Sequence, residues 1–339
     1  MTQKLKNQQK TVQNLTTNKP ELQTYLKNQG WLKPDENIAN IEKPGEGNMN
    51  FTLRVNTGKR TFIIKQSRAY VEKYPQVEAP EKRALKEAEF YELISKNAHL
   101  KAMMPQLIAV DKINNVLQLE DLGSGSDYSY IYKKENTIPE KELLQLMDFV
   151  AHLHTQITTK SVANPVANRK MRKLNHEHIF LYPYLEDNGI DLDAVLPGLA
   201  AVGDSVKKDK ALQEKLKPLG HLYLADGAHL LHGDYFPGSW LKTNEGIKII
   251  DPEFCFFGTP EFEIGVTIAH LKMADQSEKL IEMALNRYKK QAKLDENLCK
   301  KFTAAEILRR ILGLAQLPLE INLDKRKQLV KEAREVILP

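Results

Sequence analysis

The sequence predicts an α+β fold in two parts, a strand-rich N-terminal part and a mainly helical C-terminal part. Apolar alternation and glycine turns recur between residues 38 and 122, as in antiparallel strands. From residue 139 onward, apolar residues recur at the three- and four-residue spacing of amphipathic helices. Between them, Ser124-Gly125-Ser126 has the composition of a linker. We therefore predict two domains, 1–122 and 123–339.

Composition excludes several classes of protein. Hydrophobic residues make up 42% of the chain and charged residues 27%, which is ordinary for a globular protein. No apolar run reaches the ~20 residues needed to cross a bilayer, and the polar N-terminus does not resemble a signal peptide. Cys255 and Cys299 cannot form a disulfide framework, so we expect a cytoplasmic protein. The net charge of +5 is scattered, which suits anionic ligands but lacks the basic block of a nucleic-acid binder.

The first domain should begin with a polar helix or tail over residues 1–30 and continue as three strands within 38–66. The turn between the first two strands contains Gly45, Gly47 and Asn48. Such a turn is usually an ordinary hairpin, but it can also close backbone N–H groups over phosphates. Lys65 ends the third strand, a position from which a lysine can reach phosphates, and this strengthens the second interpretation.

A helix over residues 81–96 and two strands, 106–110 and 116–119, complete this domain. The helix offers Glu87 and Glu89 as partners for Lys65, although either alone reads as a solvated charge. The last strand runs into Glu120-Asp121-Leu122-Gly123, where the domain ends.

The second domain should be built from amphipathic helices. It contains two H-x-H pairs, His152 with His154 and His176 with His178. Side chains two apart on a helix point away from each other, so core or surface histidines are a better interpretation than a metal site. Two adjacent arginines, Arg309 and Arg310, lie in an apolar helical stretch. Burying them is costly unless they meet anions, so these residues alone favour surface arginines paired with nearby acids. Predicted helices cover 140–158, 191–217, 261–271, 277–294, 296–316 and 324–338.

The most informative stretch is 229–265. His232-Gly233-Asp234 follows a short apolar run, Ser239 comes five residues after Asp234, and a predicted hairpin ends on Asp251-Pro252-Glu253. A hairpin returns the chain to its starting point, so Asp234 should lie near Asp251 and Glu253. Three carboxylates in one place need a shared cation, and Mg²⁺ favours such oxygen ligands.

This layout matches the kinase template, in which one Asp receives the proton of the substrate hydroxyl and a second, after a hairpin, holds the metal. H-G-D-x-x-x-G-S followed by D-P-E-F-x-F-x-G resembles small-molecule kinases of the aminoglycoside phosphotransferase and choline kinase superfamily, and is most similar to methylthioribose kinases. The resemblance covers roughly residues 41–122 and 229–316. It implies a two-lobed, protein-kinase-like fold, with a five-stranded antiparallel sheet and one helix in the N-terminal lobe and ATP between the lobes.

The resemblance assigns roles to individual residues. Asp234 is the catalytic residue and also contacts the substrate. Arg309 and Arg310, in a Leu-Arg-Arg-x-x-Gly stretch that is very similar in methylthioribose kinases, become substrate or transition-state contacts. Asp251 and Glu253 hold Mg²⁺, with Ser239 as a weaker, water-mediated ligand. The ATP-binding residues are Gly45, Gly47, Asn48, Lys65, Glu87 (preferred over Glu89) and, through their backbones, Glu120 and Leu122.

The sequence therefore predicts an ATP-dependent kinase that acts on a small hydroxyl compound, with 5-methylthioribose as the leading acceptor. An aminoglycoside, choline or another amino alcohol is the alternative acceptor, and a nucleotide-binding regulator without turnover is the alternative class. Protein phosphorylation is disfavoured because the chain passes almost directly from Asp251 to the Glu261 helix, without A-P-E or an activation segment. We expect no nucleic-acid or membrane partner, and a homodimer is compatible with the sequence.

Overall fold

The computed structural model describes residues 12–45, 47 and 49–338. The chain divides into two compact units. The first comprises residues 1–91 and 105–121, and the second comprises 92–104 and 122–339. The segment 92–104, which the sequence assigned to the first domain, is thus grouped with the second unit.

The first unit is built on a five-stranded antiparallel sheet with strand order β1-β2-β3-β7-β6. In β2 and β3 buried and more exposed residues largely alternate, and Leu53, Val55, Phe62 and Ile64 are at most 1% exposed. A two-stranded β4–β5 ribbon beside it had not been predicted. The strands of this unit are β1 (Asn40–Glu42), β2 (Phe51–Asn56), β3 (Thr61–Gln66), β4 (Tyr70–Val71), β5 (Tyr74–Glu78), β6 (Leu107–Asp111) and β7 (Val116–Glu120).

Helix α1 (Lys19–Asn28) covers part of this core. Asn18 caps its N-terminus by accepting from the N–H of Glu21, and Pro20 suits its first turn. Its buried side chains join the same hydrophobic cluster as those of β2 and β3. The Tyr25 hydroxyl donates to Asp111 Oδ2 at 2.8 Å and ties the helix to β6. Helix α2 (Arg83–Ile94) follows the β4–β5 ribbon.

The second unit is mainly helical, as predicted. The segment 160–189, which had no assignment, contains α5, and the stretch 191–217 forms two short helices and the start of a third. No described helix is both long and apolar enough to cross a membrane. The helices are α3 (Ala98–Ala102), α4 (Glu140–Gln156), α5 (Arg169–Phe180), α6 (Leu192–Val195), α7 (Leu199–Lys207), α8 (Lys210–Leu224), α9 (Pro260–Met273), α10 (Glu278–Lys289), α11 (Glu296–Leu312) and α12 (Leu323–Ile337).

Short strands within this unit position the residues predicted to be functional. The expected hairpin is present as β10 and β11, with Trp240 opposite Ile249 and Thr243 opposite Gly246. The segments on either side of it, β9 and β12, pair antiparallel and were missed by the sequence analysis. The pairing of β9 with β12 brings together the two ends of the segment that contains the β10–β11 hairpin. The strands are β8 (Ser126–Asp127), β9 (His229–Leu231), β10 (Trp240–Thr243), β11 (Gly246–Ile249) and β12 (Phe256–Gly258).

Candidate active site

The loop after β9 has a backbone that only glycine can supply. Gly233 has φ of +86°, and a Cβ at this position would lie 2.2 Å from the carbonyl oxygen of Phe254. Any side chain would therefore be strained and would also collide with the chain after β11. This close approach brings the Asp234 loop against the turn that contains Glu253.

His232 ties the same loop to the end of β11. Its Nε2 lies 2.9 Å from the Ile250 carbonyl oxygen, which can only accept, so Nε2 carries the proton. Its Nδ1 accepts from the backbone N–H of Asp234 at 3.4 Å. The Ser239 hydroxyl donates to the Asp234 carbonyl at 2.8 Å, and the N–H of Ile250 donates to the Ser239 carbonyl at 3.0 Å. The loop and the start of the Asp251 turn are therefore fastened together.

Glu263, on α9, holds this loop from below. Its Oε2 accepts from the N–H of His232 at 3.0 Å, and its Oε1 accepts from the N–H of Gly233 at 2.6 Å. Oε2 also lies 2.9 Å from Nε2 of His154, whose Nδ1 lies 2.9 Å from the hydroxyl of Tyr288. Glu263 and His154 are at most 1% exposed. His154 is therefore a core histidine, as the sequence suggested.

The turn after β11 contains the other two predicted site carboxylates, Asp251 and Glu253. Asp251 has φ of +62°, an unfavourable conformation for a non-glycine residue that persists only where its surroundings enforce it. Glu253 is 4% exposed, and Asn168 fixes the backbone here by donating to the carbonyls of Glu253 and Cys255 at 2.8 and 3.0 Å. The turn is thus rigidly placed beside the Asp234 loop.

The predicted three-carboxylate metal cluster is not formed. Across residues 12–45, 47 and 49–338, no three His, Cys, Asp or Glu side chains are arranged to hold one ion. Mg²⁺ commonly takes only one or two carboxylates and completes its shell with water and phosphate, so Asp251 and Glu253 stay the predicted magnesium ligands. The Ser239 hydroxyl is engaged with the Asp234 carbonyl, and its role as a metal ligand stays a prediction.

The Asp234 side chain is partly accessible, at 27%. Its Oδ1 lies 3.7 Å from Nη2 of Arg310, which is close enough for charge attraction but longer than a hydrogen bond. Desolvation raises the pKa of Asp234 to about 6, although Arg310 and Arg309 oppose the rise and Glu306 and Glu253 reinforce it. A carboxylate with a pKa in this range can accept a proton near neutral pH.

The two arginines of α11 are buried, contrary to the surface interpretation that their sequence context slightly favoured. Arg309 is 8% exposed and Arg310 6% exposed. Both pair with Glu306 on the same helix: Arg310 Nε lies 2.6 Å from Oε1, and Arg309 Nη1 lies 3.1 Å from Oε2. Arg310 also covers the ring of Phe236 at 4.9 Å. Burial alone would raise the pKa of Glu306, but the two guanidinium groups hold it well below its usual range.

Two further buried side chains, His270 and Tyr132, continue the hydrogen-bonded contacts of Glu306. His270 of α9 has its Nε2 3.2 Å from Glu306 Oε1, and its Nδ1 lies 2.5 Å from the hydroxyl of Tyr132. Burial lowers the pKa of His270 to about 4, so the imidazole is neutral at pH 7. On α5, burial followed by the charges of Arg309 and Arg310 lowers the pKa of His178 to about 4 as well.

In the first unit, Lys65 and Glu87 meet as predicted. Lys65 Nζ lies 2.6 Å from Glu87 Oε2, and the two side chains are 4% and 0% exposed. Glu89 instead pairs with Lys86 near the surface. One turn before Glu87, Arg83 donates to the carbonyls of Arg68 and Tyr70 at 2.5 and 3.2 Å and to that of Met49 at the end of the glycine turn. One face of α2 therefore fixes both the lysine and the turn.

The remaining predicted ATP contacts are less specific in the structure. Gly45 and Gly47 are exposed, and Asn48 lies outside the described residues. The N–H of Glu120 donates to the Gln106 carbonyl at 2.9 Å, so this N–H is already engaged and is not open to a nucleotide base. Leu122 belongs to the second unit. The ATP-binding roles of these residues stay predictions.

The sequence analysis missed the residues that position the site, namely Arg83, Glu263, His270, Glu306 and Tyr132. Glu306 carried a local signal, because a carboxylate three and four residues before two arginines faces both of them on a helix. His270, seven residues after Glu263, lies two turns along α9. Tyr132 and Glu263 meet their partners only through tertiary folding.

Comparison with known proteins identifies the relatives of this chain. It is 28% identical over 250 residues to methylthioribose kinase of Exiguobacterium sibiricum, a match covering 69% of this chain and 61% of that protein. It is 23% identical to methylthioribose kinase of Bacillus mycoides, covering 92% and 90%. The match thus spans less than two thirds of the length of the first of these relatives.

The fold has kinase counterparts among solved structures. Choline kinase from Cryptosporidium parvum superposes with a TM-score of 0.56 at 13% identity, over 94% of this chain and 96% of that one. The predicted kinase-like fold and the family resemblance are both confirmed. The model of the phosphotransferase enzyme family matches residues 40–296, about three quarters of the chain. The chain is therefore a member of the phosphotransferase enzyme family.

Proposed function

We propose that this protein transfers the γ-phosphoryl group of Mg-ATP to a hydroxyl of a neutral or anionic sugar, with 5-methylthioribose as the leading acceptor. The observation that carries the proposal is the arginine pair beside the candidate base. Arg309 and Arg310 are buried on Glu306, and Arg310 reaches to 3.7 Å from Asp234. The similarity to methylthioribose kinases supports the same acceptor.

The charges around Asp234 disfavour a cationic acceptor. The carboxylates of Asp234 and Glu306 are matched by the guanidinium groups of Arg309 and Arg310. An ammonium group placed here would be repelled by the two guanidinium groups, which offset the attraction of the carboxylates of Asp234 and Glu306. Binding of a quaternary ammonium typically uses open aromatic faces, whereas Arg310 already covers Phe236. Sugar hydroxyls, in contrast, can accept hydrogen bonds from guanidinium groups.

In this proposal Asp234 orients the acceptor hydroxyl and takes its proton as the new P–O bond forms. The proton moves late, because the transferring phosphoryl passes through a loose transition state with its charge spread over the equatorial oxygens. Arg309 and Arg310 stabilise that charge or bind substrate oxygens. Losing one such group typically costs about 3 kcal/mol in the transition state.

The nucleotide would be held by separate groups. Lys65, fixed by Glu87, would bind the α- and β-phosphates, and Asp251 with Glu253 would hold the magnesium ion. When bound, the ion would supply positive charge that offsets the charge of the phosphates. The left-handed backbone of Asp251 and the burial of Glu253 suit a site in which the ligands are placed before the ion arrives.

The test is release of ADP from Mg-ATP across a panel of hydroxyl compounds: 5-methylthioribose, ribose, homoserine, ethanolamine, choline and kanamycin. Asp234→Asn is the control, because it keeps the size of the side chain and removes the base. Saturable turnover on methylthioribose, lost in this variant, would support both the acceptor and the base.

Turnover on choline or kanamycin would retain the kinase and refute the charge argument. Tight ATP binding without turnover on any compound would favour the alternative of a nucleotide-binding regulator.

A further inference from the structure

Behind the two arginines lies a directed chain of buried side chains. Glu306, His270 and Tyr132 are at most 2% exposed. A carboxylate can only accept, so His270 Nε2 carries the proton and donates to Glu306 Oε1 at 3.2 Å. His270 Nδ1 is then an acceptor and receives a hydrogen bond from the Tyr132 hydroxyl at 2.5 Å. The chain ends on the carboxylate that both arginines share.

This carboxylate controls where Arg310 can reach. Oε1 of Glu306 holds Arg310 through Nε at 2.6 Å, which leaves Nη2 facing Asp234 at 3.7 Å. At that distance Asp234 is attracted but not captured by a hydrogen bond. A guanidinium released from Glu306 could instead form a bidentate pair with Asp234, the strongest geometry available to it. The candidate base would then be blocked.

We propose that Glu306, held in place by His270 and Tyr132, is a positioning residue that keeps Arg310 away from Asp234 and keeps both arginines aimed at the transferring phosphoryl or the acceptor. The inference rests on the proposed function. It goes beyond that function by assigning roles to three residues that do not touch the substrate.

The first experiment locates Arg310 without relying on turnover. In crystals of the wild type, Arg310 Nε should bind Glu306, with Nη2 about 3.7 Å from Asp234. In Glu306→Gln, which keeps the shape and removes the charge, the guanidinium should leave residue 306 and form a bidentate pair with Asp234. Glu278→Gln, on an 82% exposed side chain of α10, is the matched control and should leave Arg310 in its wild-type position.

The second experiment measures kcat with whichever acceptor the wild type uses. Glu306→Gln should lower kcat about 100-fold, as expected when a transition-state charge is misplaced. An Arg310 that keeps its wild-type position in Glu306→Gln, together with wild-type kcat per folded molecule, would overturn the inference. Turnover on an unexpected acceptor, or on none, would count against the proposed function alone, since the position of Arg310 is still read from the structures.

A third variant covers the case in which Glu306→Gln does not fold. Tyr132→Phe removes only the hydroxyl at the far end of the chain and keeps the ring. We expect kcat to fall several-fold while circular dichroism shows a fully folded protein. Unchanged kcat in that variant would mean that the Tyr132–His270–Glu306 contacts serve only packing, and it would refute the positioning role.

Discussion

The second unit contains two buried chains with the same order of groups and different ends. In each, a tyrosine hydroxyl meets Nδ1 of a histidine and Nε2 of that histidine meets a glutamate. One chain is Tyr288–His154–Glu263 and the other is Tyr132–His270–Glu306. Glu263 is bound by the backbone N–H groups of the Asp234 loop, whereas Glu306 is bound by two arginine side chains.

The two hydrogen-bonded chains contain the same groups but do different things. The first fixes the position of the Asp234 loop, and the second sets the charge around the Asp234 side chain. The hydrogen bonds from backbone N–H groups to Glu263 fix where the Asp234 loop lies, because the polypeptide cannot move there without breaking them. Guanidinium groups fix the electrostatic environment of the Asp234 side chain and can be reoriented by a ligand. Helix α9 contributes to both chains, with Glu263 to the first and His270 to the second. The two kinds of support therefore share one rigid element.

The largest effect should come from the charged chain. In Arg310→Ala, the guanidinium group 3.7 Å from Asp234 is lost. Under the proposed function we expect kcat to fall about 10²- to 10³-fold, because charge on the transferring phosphoryl would no longer be stabilised. Measurement of kcat and KM for each substrate checks this. Arg287→Ala, on a surface pair with Asp148, is the control and should keep wild-type kcat. A change confined to KM for the acceptor would assign Arg310 to binding.

Much of the fold could be predicted because its signals are local. The alternation in β2 and β3, the glycine turns and the hairpin of β10 and β11 are all written within short windows. The pairing of β9 with β12 was missed because each strand has only three residues and the partners are about 25 residues apart. The β4–β5 ribbon is exposed along β5 and so lacks an apolar pattern.

The contacts of the candidate site divide in the same way, into those that local sequence patterns predict and those that form only on folding. The approach of the Asp251 turn to Asp234 could be inferred from motif spacing. The residues alone left Glu87 and Glu89 as partners for Lys65, and the resemblance to methylthioribose kinases pointed to Glu87. Tyr132 and His270 are 138 residues apart, and His154 and Glu263 are 109 apart, so no sequence window contains either contact. The burial of Arg309 and Arg310 depended on Glu306, whose spacing was visible but was not used.

The pH dependence of the wild type tests whether Asp234 is held as the charged chain implies. In the proposed mechanism the active form of Asp234 is the carboxylate. Its pKa is raised to about 6, so activity should be lost as the pH falls through that value. We expect kcat/KM for the acceptor to decline about tenfold per pH unit below this pKa. Activity that stays level from pH 7 to about pH 5 would contradict this assignment.

Weakening the backbone-holding chain should have a smaller effect on catalysis and a larger one on stability. In Glu263→Gln, one side-chain atom can still accept from the loop, but the amide NH₂ faces the other N–H donor. An unsatisfied buried donor costs about 1–3 kcal/mol, so the melting temperature should fall. We expect kcat to drop roughly tenfold as the loop loosens, by the reasoning that small misplacements of reacting groups are costly. A stable variant with wild-type kcat would show that the loop does not depend on Glu263.

The finest comparison replaces each histidine by asparagine. His154→Asn and His270→Asn remove equivalent buried groups, so both should destabilise the protein by about 1–3 kcal/mol in thermal or denaturant unfolding. Their pH profiles should differ. In His270→Asn the contact between Glu306 and the arginines loosens, and the acid limb of kcat/KM should move, whereas His154→Asn should leave that limb in place because Glu263 faces backbone. If both variants moved the limb equally, the two chains would be one electrostatic system, and the division between holding the backbone and setting the charge would be wrong.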